Sequence, residues 1–273
     1  MEELIKDILS KKELRNLTQT IVEKEINTFL DKNESIKKKL VLKEYNKRSK
    51  EYKEVLKEVR KILREIYGVF LDSKFDDKKE LLDKLNTENQ EKILREILTT
   101  HKSSKERLPY YKKAYQQIFS ITGKGKIILD LACGLNPLSY FWLGYKPKYI
   151  ASDISTKDME FIQEFFNKNN IDGETKAIDL INEQDKIISI KADICFLFKT
   201  LDSLETRQRH ISKKLINNIN AKWIVISFSK QSLGGKKEIS KKKRSWLIKF
   251  LEKNEFKFQE TEIQNEFFIV VKK

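Results

Sequence analysis

From residue 105 onward, short β-branched and aromatic runs alternate with helix-periodic stretches, and this alternation leaves few folds open. The runs cover residues 126–131, 149–152, 174–178, 192–198 and 223–228, and helix-like stretches such as 157–167 and 205–219 fall between several of them. Alternating β and α segments imply an α/β fold: a parallel sheet joined by crossover helices. The last two runs, 256–262 and 267–271, are separated by only a few polar residues. That spacing predicts a hairpin-like ending with one antiparallel strand.

Before residue 105 the signals are helical. Tyr52, Val55, Leu56, Val59, Ile62, Leu63, Ile66 and Tyr67 recur at three- and four-residue spacing, giving one apolar stripe. Gly68 follows as a C-cap. Residues 87–90 read as a capping box ahead of Ile93, Leu94, Ile97 and Leu98, and shorter helices are predicted over 2–9 and 18–30. The chain therefore divides into a helical part, 1–104, and an α/β part, 105–273. The helical part carries Lys37, Lys38, Lys39, Lys43, Lys47, Arg48 and Lys50 on polar faces. These either contact phosphates or form an ordinary solvated surface.

Charge points to a partner more than to a fold. Lys and Arg total 56 against 41 acidic residues, a net charge of +15. Such an excess suits a polyanion, nucleic acid or an anionic membrane surface; a lysine-favouring composition is the other explanation. The first residues lack the apolar core of a leader, and no run of about 18 apolar residues exists, so no membrane span is expected. The two cysteines, Cys133 and Cys195, form no CxxC pair, so neither a disulfide framework nor a metal site is expected. The chain reads as cytoplasmic.

The first run of the α/β part ends in Asp130-Leu-Ala-Cys-Gly-Leu-Asn-Pro-Leu138. An apolar strand that ends in an acid and turns through glycine places a backbone loop at the carboxyl edge of the sheet, where open α/β sheets bind ligands. Gly134 admits close approach of a ligand because it has no Cβ. The GxGxxG and GxxxxGK[ST] patterns of pyrophosphate sites are absent, and a plain tight turn is the competing reading. The next strand ends in Asp153, placed to accept hydrogen bonds from two ribose hydroxyls. The third ends near Asp179-Leu180, placed to take an adenine amino group and cover the ring. Carboxylates at three successive strand ends are costly to bury unpaired, and together they suit an adenosine-bearing cofactor without phosphates, such as S-adenosylmethionine. Arg107 reads as a cation in the first turn of a helix through 110–119, against the helix dipole. A cofactor carboxylate would compensate it, as would Glu106 or solvent.

Four ordered segments, His101-Lys-Ser-Ser-Lys-Glu-Arg107, Asp130 to Leu138, Leu197-Phe-Lys199 and Ser227-Phe-Ser-Lys-Gln-Ser-Leu-Gly-Gly235, resemble the aminoglycoside-resistance 16S ribosomal RNA guanine-N7 methyltransferases, the Arm/Rmt and Sgm/Kgm group. The resemblance covers most of the chain. It implies a Rossmann-like class I methyltransferase domain behind an N-terminal all-helical domain that docks on the small ribosomal subunit. It further implies S-adenosylmethionine as cofactor, held by Arg107, Ala132, Cys133, Gly134, Asn136, Pro137, Asp153, Ile154, Asp179, Leu180 and Phe198. Lys199, Ser227 and Phe228 would face a guanine of the decoding centre, Lys199 by hydrogen bonding O6 or a phosphate, Ser227 by donating to the base edge, and Phe228 by stacking or by serving the core. Lys230, Lys236, Lys237, Lys241, Lys242, Lys243 and Arg244 would grip RNA phosphates from a surface loop. The chain departs from the family at Ser229, where proline is usual, and at Ala132, where glycine is usual.

The residues predict an RNA methyltransferase, and the resemblance implies 16S rRNA within the assembled 30S subunit as its substrate, with antibiotic resistance as the consequence; a monomer is expected. The alternatives are a methyltransferase of another rRNA or tRNA position, and a catalytically idle RNA-binding or ribosome-assembly protein on the same scaffold.

Overall fold

A computed structural model describes residues 1–231, 239 and 244–273. Their contacts form two compact units, one of residues 1–71 with 155–157, the other of 72–154 with 158–273. The pattern change at 104/105 and this division at 71/72 do not coincide, because the helical segment 72–104 is part of the unit that holds the sheet.

The first unit contains helices α1 (Glu2–Leu9), α2 (Gln19–Asp31), α3 (Glu34–Leu42) and α4 (Lys50–Ile66). In α4 the stripe Tyr52, Val55, Val59 and Leu63 is buried, as its spacing requires. The helix starts where the Ser49 hydroxyl accepts the Tyr52 N–H at 3.2 Å, an N-cap that satisfies an otherwise orphan donor. Gly68 is not the left-handed cap expected of it. It opens a 3-10 turn, and a Cβ there would lie 3.0 Å from Glu13 Cγ, so glycine supplies space instead of a backbone angle. Several lysines of the basic surface are engaged within the unit: Lys37 with Asp31 at 2.6 Å, Lys43 with Glu51 at 2.7 Å and Lys47 with Glu3 at 2.6 Å.

The second unit opens with α5 (Lys78–Asp83), α6 (Gln90–Thr99), α7 (Lys102–Arg107) and α8 (Tyr111–Thr122). The capping box expected at 87–90 is replaced by an asparagine pair: Asn89 is the N-cap of α6, its Oδ1 accepts the Asn86 N–H, and Asn86 Oδ1 accepts the Asn89 N–H. Then come β1 (Ile127–Leu131), β2 (Lys148–Asp153), α9 (Thr156–Lys168), β3 (Gly173–Ala177), α10 (Asp185–Ile188), β4 (Lys191–Phe198), α11 (Leu201–Arg207), α12 (Ile211–Asn218), β5 (Asn220–Ser229), α13 (Ser245–Lys253), β6 (Lys257–Ile263) and β7 (Glu266–Lys272). The single helix expected over 205–219 is two, broken at His210, whose φ is +67°.

The described strands form one sheet in the order β3-β2-β1-β4-β5-β7-β6. β1 to β5 are parallel, and β7 runs antiparallel to both β5 and β6. Central β4 is apolar over Ile194-Cys-Phe-Leu-Phe198 without alternation and buried throughout, the pattern of a strand covered on both faces. On one face Leu129, Leu131, Cys195, Leu197, Ile224 and Ile226 meet Leu204, Leu215, Leu247 and Leu251 of the later helices. On the other, Phe196 stacks on Phe198 at 4.6 Å and on Tyr115 of α8 at 6.0 Å. Strand order reverses direction between β1 and β4. The crevice outside the carboxyl ends of those two strands is where such sheets bind ligands.

Candidate active site

The loop leaving β1 is built around left-handed residues. Ala132 has φ +51° and Gly134 φ +51°. A Cβ at Gly134 would sit 2.8 Å from Cε1 of His101, so the position is restricted to glycine twice, by its angle and by the imidazole against it. Asp153 at the end of β2 fastens the loop. Its Oδ2 accepts the Gly134 N–H at 2.8 Å and its Oδ1 the Ile154 N–H at 2.7 Å. Both bonds run from backbone amides to the carboxylate and fix it against the loop. The Cys133 N–H donates to Ser152 O at 3.0 Å, and burial pushes the Cys133 thiol well up, which makes it a packing group and not a nucleophile.

Asp130 lies beneath the loop, fully buried. Oδ2 accepts from Asn136 Nδ2 at 2.8 Å and from the Tyr149 hydroxyl at 2.7 Å, while Oδ1 has no partner among the described residues. Burial pushes this carboxyl up to about 6. An orphaned buried acceptor costs free energy, and a ligand ammonium group would satisfy it. Pro137 is the second residue of the 3-10 turn Asn136–Trp142 that closes the loop.

Arg107 is the last residue of α7, where the helix dipole favours a cation; it does not stand in the first turn of the next helix. Pro109 separates α7 from α8. The guanidinium is buried and forms a two-point bond with Glu266, Nε to Oε2 at 2.9 Å and Nη2 to Oε1 at 2.5 Å, with Nη1 on Asn136 Oδ1 at 3.1 Å. A cofactor carboxylate would have to share this guanidinium with Glu266. Glu266 also accepts from the Tyr110 hydroxyl at 3.1 Å and from Ser227. Burial works against its charge, but Arg107 and Lys199 outweigh burial and hold the carboxyl below the usual range. Glu266 carries no signal in the sequence, where it is one of the few polar residues ahead of the apolar run 267–271.

Lys199 follows β4 with φ +57°, and its N–H donates to Ser227 O at 3.0 Å and Ser227 Oγ at 3.1 Å. Its ammonium donates to Glu106 Oε2 at 2.6 Å. Arg107, Asn136, Phe198, Lys199, Ser227 and Glu266 are thus brought together at the carboxyl edge, with Arg107 4.5 Å from the Phe198 ring. Phe228 is not presented to an incoming base: it is buried in the core, and the Arg244 guanidinium lies 4.5 Å over its ring. Asp179 is occupied by its own turn, accepting from Ile181 N at 2.9 Å and Asn182 Nδ2 at 2.6 Å, and Leu180 packs in the core. Lys230 pairs with Glu262 at 2.9 Å. Arg244 is buried, not looped out. Lys236, Lys237, Lys241, Lys242 and Lys243 lie outside the described residues. His101, given no role from sequence, packs on the glycine loop, and burial lowers its imidazole to about 4. Among the described residues no group of three or more His, Cys, Asp or Glu could hold a metal ion, and no helix is long and apolar enough to cross a membrane.

An orphan acceptor under the loop, a cradle without a Cβ and a carboxylate at the second strand end suit a ligand that carries an ammonium and a diol. Residues 32–271 match the family described as ribosomal RNA methyltransferase (FmrO). The chain is similar to a 16S rRNA (guanine(1405)-N(7))-methyltransferase of Micromonospora rosea, 33% identical over 178 residues, covering 62% of this chain and 64% of that protein. It is also similar to one of Serratia marcescens, 32% identical over 146 residues, covering 52% and 55%. The chain spans under two thirds of the length of these curated relatives. In fold it resembles the 16S rRNA methyltransferase RmtF in complex with S-adenosyl-L-homocysteine, with a TM-score of 0.79 and 22% identity over 100% of this chain and 98% of that one. It likewise resembles the 16S rRNA methylase RmtB, with a TM-score of 0.74 and 21% identity over 100% and 98%.

Proposed function

Because the chain belongs to the ribosomal RNA methyltransferase (FmrO) family, we propose that it is an S-adenosylmethionine-dependent methyltransferase of 16S rRNA, directed at guanine N7 in the decoding centre of the 30S subunit. The observation that carries this reading is the glycine loop clamped by Asp153 at the switch-point crevice, with the orphan Oδ1 of Asp130 beneath it.

The residues fit the cofactor. Asp130 would take its ammonium and Asp153 its ribose hydroxyls. The backbone of Ala132, Cys133 and Gly134 would wrap its methionine portion, with Arg107 sharing its guanidinium between Glu266 and the carboxylate. Asp179 and Leu180 stand at the adenine end, where Asp179 must give up part of its turn to bind. Bound there, S-adenosylmethionine supplies an activated methyl group. Guanine N7 carries a lone pair at neutral pH, so the protein need supply no general base, and the gain comes from alignment. Lys199, paired with Glu106, is the donor at the adjoining strand end that would orient the base, while Ser227, whose buried hydroxyl donates to Glu266 and accepts the Lys199 N–H, would hold Lys199 in place and not donate to the base edge. The basic face of the helical unit and Lys230 would hold phosphates, which position RNA without reading its sequence. A cytoplasmic location follows from a ribosomal substrate, and a monomer is the expected form.

The test is methyl transfer from labelled cofactor to intact 30S subunits, free 16S RNA, 50S subunits and transfer RNA in parallel. Label confined to 30S supports the reading. Label in another RNA only would retain the enzyme and discard the ribosomal target, and cofactor binding without transfer to any RNA would favour an idle scaffold.

A further inference from the structure

Arg244 combines three features that a folded protein rarely tolerates together. Its side chain is 2% exposed. It is the N-cap of α13, a nine-residue helix with no side-chain cap on its first N–H groups, so the cation stands at the positive end of a helix dipole. Among the described residues, two of its nitrogens, Nε and Nη1, are buried without a hydrogen-bond partner, and Nη2 meets Ser229 O at 2.7 Å and, more loosely, Asp202 Oδ2 at 3.3 Å. The guanidinium plane rests on Phe228 at 4.5 Å, which fixes its orientation.

Each feature is relieved by one event, the arrival of an anion with several acceptor oxygens. A buried donor left unmet is costly, and more so when it is charged, so the unmet pair is a cost that a ligand can remove. Helix N-termini bind phosphates through free N–H groups and the dipole, and a guanidinium matches phosphate geometry. Ser229 is the last residue of β5, and Lys230 beside it lines an open pocket with Gln231, Gln264 and Asn265. The location is therefore the carboxyl edge, next to Ser227 and Lys199.

We propose that Arg244 and the N-terminus of α13 form a phosphodiester site that seats the RNA strand next to the target nucleotide. The proposal rests on the RNA methyltransferase reading and assigns its strand-anchoring residue. Asp202, half-exposed, is the carboxylate that faces Arg244 among the described residues. It holds the site in the absence of RNA and is displaced by the phosphate. Since Nε and Nη1 are not open to water, seating the strand involves a local rearrangement around them.

The experiment compares wild type, Arg244→Met, which keeps the stack on Phe228 but not the donors, and Asp202→Asn. Affinity for 30S subunits is measured from low to high KCl, with cofactor affinity alongside. Arg244→Met is expected to bind RNA about tenfold or more weakly, the value of losing a charged hydrogen bond, with a salt slope smaller by about 1 and unchanged cofactor affinity. Asp202→Asn is expected to bind RNA more tightly. An Arg244→Met protein with wild-type affinity and slope overturns the proposal while leaving the methyltransferase reading intact, as does an Asp202→Asn protein that gains nothing. Inorganic phosphate gives the site a test that needs no RNA. At matched ionic strength it should raise the melting temperature of wild type more than that of Arg244→Met, and equal shifts count against the site even if no RNA is ever methylated.

Discussion

Replacing Gly134 by alanine should cost both stability and cofactor binding, and the structure sets the size of the first. At φ +51° an L-residue carries roughly 1–2 kcal/mol of steric cost. The added methyl would also stand 2.8 Å from His101 Cε1 and 2.9 Å from Nε2, and forced overpacking of this kind costs about 1–3 kcal/mol. The sum predicts a loss of roughly 2–5 kcal/mol, read from urea unfolding at constant slope. Two companion variants separate the contributions. Ala132→Gly, at the same φ in the same loop, should stabilise by about 0.5–1 kcal/mol, because there the strain is already present. In a double-mutant cycle, His101→Ala should recover the overpacking share of the Gly134→Ala loss, since the ring is what the methyl meets. A Gly134→Ala protein within about 0.5 kcal/mol of wild type, or a cycle without coupling, would refute the geometry described for the loop.

Three further expectations follow from the buried charges and strand ends. Glu266→Ala leaves Arg107 buried and unpaired and should cost about 3–5 kcal/mol in chemical unfolding, whereas Glu266→Gln should cost less; equal, small losses would contradict the two-point bond. Asp130, raised by burial to about 6 from the ordinary aspartate value of about 4, binds more protons folded than unfolded between those values. Its contribution to stability therefore falls as pH rises through that window and is level above it, and Asp130→Asn should flatten the profile measured by unfolding at a series of pH values. Because the ionised form would hold a cationic ligand, cofactor affinity measured by calorimetry should weaken as pH drops below about 6. Lys199→Ala should lower methyl transfer about 10- to 100-fold at unchanged cofactor affinity, and a matching loss of cofactor binding would move Lys199 out of the base-orienting role.

The parallel strands and the glycine loop were legible because local pattern determines them. Apolar runs that end in Asp130 and Asp153 place carboxylates at one sheet edge whatever the packing. Pairings between distant residues were not legible. Arg107 and Glu266 are 159 positions apart, and nothing near Glu266 announces its partner. An arginine does face an unfavourable helix dipole, but it is not Arg107: Arg107 ends its helix, and Arg244 stands at the start of one. Phe228 read as either stacking platform or core, and the guanidinium over its ring settles it as core. Boundaries set by side-chain turns, such as the asparagine pair before α6 and the left-handed His210 between α11 and α12, were displaced or missed because several residue types fit each position.

Locating the methyl group on the RNA decides whether this chain methylates 16S rRNA. Purified protein, intact 30S subunits and S-adenosylmethionine are incubated, the 16S rRNA is digested, and the modified nucleotide is placed by mass spectrometry. N7-methylguanine is expected in the decoding region with the wild-type chain and is expected to be absent with Asp153→Ala. A methyl group found only elsewhere, or a chain that binds no cofactor, would contradict that expectation.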